Sequence, residues 1–172
     1  MKAKVEYSKH EIAARLRFRC IHRHTGLVHE NCYKNNNCIK EKVGYFDIEG
    51  FGMGFSADTG CVMTYCILDQ NGKLIKNSVT PKELLSDKID KRLMEDLISD
   101  LNEFDRIVTF YGKRYDVPYI RTRSLGYGLP FPDYGELHHT DVYDIIKHKF
   151  SLRRRSLENA CRFFGIKSKG HR

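Results

Sequence analysis

The chain has no apolar run that approaches the length of a bilayer span, and its N-terminus lacks the apolar stretch of a secretory leader. A cytoplasmic protein with no membrane partner is therefore expected. The glycine-rich stretch Gly50-Phe51-Gly52-Met53-Gly54-Phe55 is followed neither by Lys-Ser/Thr nor by a helical pattern, which argues against a phosphate loop. Six cysteines in a chain of this kind do not suggest a disulfide framework. No carboxylate follows Glu158. What remains suits a globular protein: 172 residues, 30% charged and 41% hydrophobic, enough for one domain with a real core and a small appendage.

The net charge of +8 is unevenly spread. Residues 1–42 carry +6, residues 43–105 carry −6 and residues 106–172 carry +8. Basic flanks around an acidic centre suit a polyanion held against a metal-binding acidic site, although a solvated basic surface would look the same.

The acidic centre opens with Val43-Gly44-Tyr45-Phe46-Asp47-Ile48-Glu49-Gly50, which reads as a buried strand. Strand side chains alternate faces, so Asp47 and Glu49 share one face while Phe46 and Ile48 turn into packing. Two neighbouring carboxylates repel, and a divalent cation relieves that repulsion. A solvated strand end is the plainer reading of the pair alone. In the glycine-rich bend that follows, Phe51 or Phe55 is free to stack on a base or to plug the core.

Residues 1–42 form a separate basic extension. Ser8 and Glu11 make a capping box, and Ile12, Leu16 and Cys20 form one stripe of a short helix with an Arg-rich far side. Cys20, His24, His29 and Cys32 then follow with a C-x3-H-x4-H-x2-C spacing, with His22 as an alternative to His24 and Cys38 as a spare. Tetrahedral zinc takes four such ligands and would fold a loop too polar to fold otherwise. The spacing matches no standard finger, and a basic nucleic-acid-contacting arm with unconnected Cys and His is the competing reading.

Beyond residue 43 the elements run β-β-β-α-β-α-β-α-α. Cys61–Leu68 and Lys73–Val79 are strands around a hairpin turn at Asp69-Gln70-Asn71-Gly72. A helix between Ser86 and Phe104 has Ile89, Leu93, Leu97 and Leu101 as its stripe and acids on its far side. Arg106–Gly112 reads as a strand, and Pro118 fits the first turn of the next helix. His139–Tyr143 is strand-like and leads into a helix through Phe150; a last helix, Leu157 to Phe164, stops at Gly165. This order is that of an α/β, ribonuclease H-like mixed sheet, three antiparallel strands followed by strand–helix alternation, with helices on both faces.

On that order two motifs resemble the DEDD superfamily of 3′–5′ exonucleases, and within it the YprB-type ribonuclease H-like group. Phe46-Asp47-Ile48-Glu49 looks like the first exonuclease motif, with Asp58-x-Gly60 as its usual continuation. Phe110-Tyr111-Gly112-Lys113-Arg114-Tyr115-Asp116-Val117-Pro118-Tyr119-Ile120 looks like the second. The resemblance covers residues 43 to 172. It implies a metal-dependent nuclease acting on DNA or RNA through two Mg²⁺ or Mn²⁺ ions, with Asp47 bridging both, Glu49 on the nucleophile's side and Asp116 on the other ion. Asp116 in isolation also reads as a helix N-terminal acid that complements the dipole.

The family's fourth carboxylate has no clear counterpart. Asp141 and Asp144 are candidates, and Asp141 is carried as the fourth catalytic residue. By the family's register that Asp falls on a further helix after Gly165, so the chain is expected to be a piece of a longer protein lacking its last helix. The competing expectation is a catalytically incomplete nucleic-acid-binding module with an exonuclease-like fold. Lys113, Arg114, Arg121, Arg123, Arg153, Arg154 and Arg155 are the candidate phosphate contacts, each with solvated surface charge as its plainer reading.

Overall fold

In the computed structural model, which describes residues 7–35, 41–52, 56–132 and 137–167, the chain divides into two compact units, Met1–Glu41 and Lys42–Arg172. The larger unit is built on a five-stranded sheet of order β3-β2-β1-β4-β5. Its strands are β1 (Val43–Phe51), β2 (Cys61–Asp69), β3 (Leu74–Ser78), β4 (Arg106–Thr109) and β5 (His138–Asp141). β1 pairs antiparallel with β2, and β2 with β3; β1 pairs parallel with β4, and β4 with β5. This is the mixed sheet expected from the order of elements.

β1 sits in the middle because its two faces differ. Phe46 and Ile48 are buried; Tyr45, Asp47 and Glu49 are exposed. The buried face continues through Val62, Tyr65 and Ile67 of β2 and packs against the two helices of this unit that follow β3 and β4. From the first of these, Lys91–Leu101, come Leu93, Met94, Leu97 and Leu101; from the second, Asp116–Gly126, come Val117, Tyr119 and Ile120. Numbering helices along the chain gives α1 (Lys9–Arg17) and α2 (Glu30–Lys34) in the smaller unit. In the larger unit they are α3 (Lys91–Leu101), α4 (Asp116–Gly126), α5 (Val142–Lys149) and α6 (Leu157–Phe163). No helix among the described residues is long and apolar enough to cross a membrane.

Several boundaries depart from the expected ones for visible reasons. α3 begins at Lys91, so Ile89 lies before it. Asp90, within the span expected to be helical, is the N-cap of α3 and is 0% exposed. Its Oδ2 accepts from the Val62 amide at 2.7 Å and from Arg123 Nε at 3.0 Å. Its Oδ1 accepts from Arg123 Nη2 and from the Tyr127 hydroxyl. The carboxylate thus joins β2 to α4, and burial with this bond pushes the Tyr127 hydroxyl up to about 12. β4 ends at Thr109 rather than Gly112, because Tyr111 takes a left-handed φ of 68° and turns the chain toward α4. β5 ends at Asp141, whose side chain accepts from the Tyr143 amide at 2.9 Å and so starts α5 at Val142. α6 stops as expected: Gly165 has φ 67°, and the Ile166 amide donates to Cys161 O at 2.9 Å.

In the smaller unit, Ser8 caps α1 by accepting from the Glu11 amide at 3.2 Å. Arg15 departs from the expected solvated Arg-rich side. It is 4% exposed, donates to Glu11 and to Gly26 O, and lies over the rings of Tyr7 and Tyr33.

Candidate active site

The ladder between β1 and β4 runs only through Val43–Tyr45 and Arg106–Val108. Beyond it the two strands part, and the Ile48 amide donates to Asp116 Oδ1 at 3.2 Å. Ile48 lies between Asp47 and Glu49, so this bond ties the α4 carboxylate to the acid-bearing end of β1. A register shift between Glu49 and Gly50 leaves Met63 of β2 without an opposing residue at the same end. Asp116 is 3% exposed, and burial, followed by the nearby negative charge of Asp47, pushes its carboxyl up to about 6. Asp141 adds a smaller push in the same direction.

Tyr115 adjoins this group. Burial, then the charges of Asp116 and Glu49, raise its hydroxyl above its ordinary value. A side chain at Gly50 would meet that hydroxyl at 3.0 Å, so the close approach of Tyr115 to β1 depends on glycine there. Tyr119, one turn further along α4, donates to the carbonyls of Phe51 and Cys61 at 3.2 and 3.3 Å and holds the end of β1 against the start of β2.

Asp141, the fourth carboxylate expected from the sequence, is 2% exposed and occupied by backbone amides. Oδ1 accepts from Tyr111 N and Tyr143 N, both at 2.9 Å, and Oδ2 from Lys113 N at 3.0 Å. It clamps the turn that delivers Asp116. Gly112 belongs to the same turn, since a Cβ there would lie 2.3 Å from Thr109 Oγ1. Asp144 is engaged differently: Arg114 at 2.8 Å and Lys113 at 3.2 Å pair with it and hold its carboxyl below the ordinary value. Two of the expected phosphate contacts therefore already have an acidic partner.

The remaining candidates are scattered. Arg121 lies 5.1 Å from the centre of the Phe131 ring. With Lys113, Val117, Pro118, Leu137, His138 and His139 it lines a cleft of about 440 Å³ between α4 and β5. His139 Nε2 lies 2.8 Å from Thr109 Oγ1, and burial lowers the pKa of its ring. Phe51 is 74% exposed, so it does not plug the core; Arg153 and Arg154 are exposed; Phe55 lies outside the described residues.

Asp90, Tyr115 and Tyr119 were not singled out from the sequence as parts of this framework, and Arg123, a candidate phosphate contact, instead pairs with the buried Asp90. The usable signal for Arg123 and Tyr127 was their four-residue spacing, which puts both on one side of α4. Among the described residues, one group of His, Cys, Asp or Glu brings its donor atoms close enough to share an ion, and it is not the carboxylates. It comprises Cys20, His22, His29 and Cys32, so His22 takes the place expected for His24; Cys38 lies outside the described residues. Asp47 and Glu49 are exposed on β1.

Comparison with known proteins places the fold. A family model described as the RNase H superfamily matches residues 44–171. No curated protein matches. Among solved structures, the fold is similar to that of the family B DNA polymerase from the hyperthermophilic archaeon Pyrobaculum calidifontis, with a TM-score of 0.62 at 19% identity. The match covers 76% of this chain and 19% of the polymerase, so the likeness extends to a small part of that protein's length.

Proposed function

Because the chain belongs to the RNase H superfamily, we propose that its larger unit is a divalent-metal-dependent nuclease that hydrolyses phosphodiester bonds from the 3′ end of a polynucleotide. The observation that carries this reading is the bond from Ile48 N–H to Asp116, which brings a buried carboxyl to the strand end bearing Asp47 and Glu49. The donor set fits a hard cation. It is all oxygen, and it includes a carboxyl whose ionisation is opposed by burial and by a neighbouring acid, a cost that bound cations offset. Two such ions, when bound, supply charge stabilisation at the entering and leaving oxygens of phosphorus.

The protein's own groups do the positioning. Asp141 fixes the Tyr111–Lys113 turn through two backbone amides and caps α5 through a third, and that turn sets where Asp116 begins α4. Tyr115 stands beside Glu49 and Asp116, whose charges, after burial, raise its hydroxyl above its ordinary value. Lys113 and Arg121, which line the α4–β5 cleft, suit a phosphate backbone, as does Arg114 beside Lys113 in the chain. The polymerase with the similar fold is a protein that acts on DNA, which agrees with a polynucleotide substrate.

A second reading is favoured by one specific observation: Asp141 and Asp144, the two candidates for a fourth acid, are both engaged elsewhere. That reading is a nucleic-acid-binding module without cleavage. An oligonucleotide labelled at its 5′ end separates the two. The nuclease gives a ladder shortening from the 3′ end with Mg²⁺ or Mn²⁺, none with chelator, and none after Asp47→Ala. Binding without shortening in either metal selects the module, and absence of both cleavage and binding rejects the two readings together.

A further inference from the structure

Among the described residues of the smaller unit, Met1–Glu41, few apolar side chains are fully buried. Among its described residues the side chains that bury are Arg15, Cys20 and Cys32, whereas Ile12, Leu16, Ile21, Leu27 and Val28 are exposed. A unit of about 40 residues cannot be held by so little hydrophobic burial, and small folds of this kind rely on a staple. The buried thiols show where the staple sits.

The backbone brings the donors together in two steps. The Cys20 amide donates to His24 O at 3.0 Å and the Arg23 amide to Cys20 O at 2.7 Å, with Arg23 in the left-handed region at φ 64°. This tight turn folds His22 back beside Cys20. His29 then stands at the start of α2, and Cys32 lies within that helix. Cys20 Sγ is 3.5 Å from His29 Nδ1 and 3.9 Å from His22 Nδ1, and Cys32 Sγ is 3.7 Å from His22 Nδ1. All four donor atoms lie within 4.8 Å of one another. An ion with metal–sulfur bonds of about 2.3 Å and metal–nitrogen bonds of about 2.1 Å in tetrahedral geometry separates S from N by about 3.6 Å. The observed S···N distances bracket that value. A disulfide would account for two of the four groups and leave both imidazoles without a reason to converge.

We infer that Cys20, His22, His29 and Cys32 hold a structural zinc ion that folds the smaller unit. Two thiolates and two imidazoles in a tetrahedral arrangement suit zinc, and four protein ligands close the shell, leaving no position for a substrate. His24 is a neighbour rather than a ligand: its ring stacks on that of His22 with centroids 6.5 Å apart. The metal therefore organises a basic segment and takes no part in hydrolysis, which makes this inference independent of the nuclease reading.

The test is metal analysis of the full chain, together with the absorption spectrum of the cobalt(II)-loaded chain. Thiolate-to-cobalt charge transfer cannot arise from the carboxylates of the larger unit. One zinc per chain and a strong charge-transfer band are expected, and both disappear in the Cys20→Ser, Cys32→Ser double variant. His24→Ala keeps them. His22→Ala loses them, while His22→Cys, which restores a ligand, binds zinc again, showing that a donor at this position is required. Absence of zinc and of the band overturns the inference, as does zinc retained in the double Ser variant. Zinc lost on His24→Ala but kept on His22→Ala overturns the assignment of the fourth ligand.

Discussion

Replacing Asp116 with Asn separates what this carboxyl costs the fold from what it contributes to an ion site. Its pKa in the folded chain is about 6, against an ordinary 3.8. Between these values the folded chain binds more protons than the unfolded chain, so stability falls as pH rises through this window. Below 3.8 both states are protonated and nothing is lost; above 6 both are ionised and the full penalty persists. At 1.36 kcal/mol per unit, the shift corresponds to about 3 kcal/mol. Asn retains an oxygen to accept from the Ile48 amide and carries no charge, so any cost of its buried NH₂ is an offset independent of pH. Urea unfolding in chelator should therefore show wild type losing about 2 kcal/mol of this relative to Asp116→Asn between about pH 4 and about pH 7.5. Saturating Mg²⁺ or Mn²⁺ should restore stability to the wild type at the upper pH and leave the variant nearly unchanged. A difference that is flat with pH would refute the buried, Asp47-opposed carboxyl. A wild-type stability indifferent to either metal would refute the ion site.

Three further outcomes are expected. Asp90→Ala leaves the Val62 amide and the Arg123 guanidinium without their acceptor and should cost about 3–5 kcal/mol in urea unfolding, whereas Asp90→Leu combined with Arg123→Met should cost less; a single-variant loss below about 1 kcal/mol would contradict the hub. Asp141→Ala should destabilise the protein by about 2 kcal/mol equally with and without divalent metal, because it loses an N-cap and two turn amides; a loss seen only with metal would make it a ligand instead. Asp144→Asn releases Lys113 and Arg114, so single-stranded DNA should bind more tightly with a steeper salt dependence; an unchanged slope in titrations at several salt concentrations would remove both residues from the interface.

The sheet was legible because its strands obey the two-residue alternation, with Phe46 and Ile48 inward and Asp47 and Glu49 outward on β1. The second motif was legible as a strand, a turn and an acid opening a helix. Asp116 does open α4, as its helix-terminal reading has it, and its bond from the Ile48 amide ties it to β1 as well. Asp90 was not legible. Helical spacing says which face an acid occupies but not whether a neighbouring helix offers that face an arginine, as α4 does with Arg123. Arg15 was missed for the same reason, its partners being two tyrosine rings and the Gly26 carbonyl. The choice between His22 and His24 turned on the left-handed Arg23, since loop residues carry no periodicity from which a direction can be read. Asp141 was read as the middle of a strand over His139–Tyr143, whereas it ends β5. Its three amide donors come from the Tyr111–Lys113 turn and the start of α5, which sequence spacing does not bring together.

The two outer strands of the sheet have a bearing on solubility. β3 spans five residues and β5 four, and each places polar groups where another chain would have to add a strand. On β3 these are Lys76, Asn77 and Ser78, and the Ser78 carbonyl already accepts from Arg92 of α3 at 2.8 Å. On β5 they are His138, His139 and Thr140, followed at once by the helix that Asp141 starts. Short, polar and quickly ended edges give a foreign strand little backbone to template on. A sheet with these borders resists growth by edge-to-edge stacking, so the chain can be concentrated with a low risk of ordered aggregation from this part of the fold.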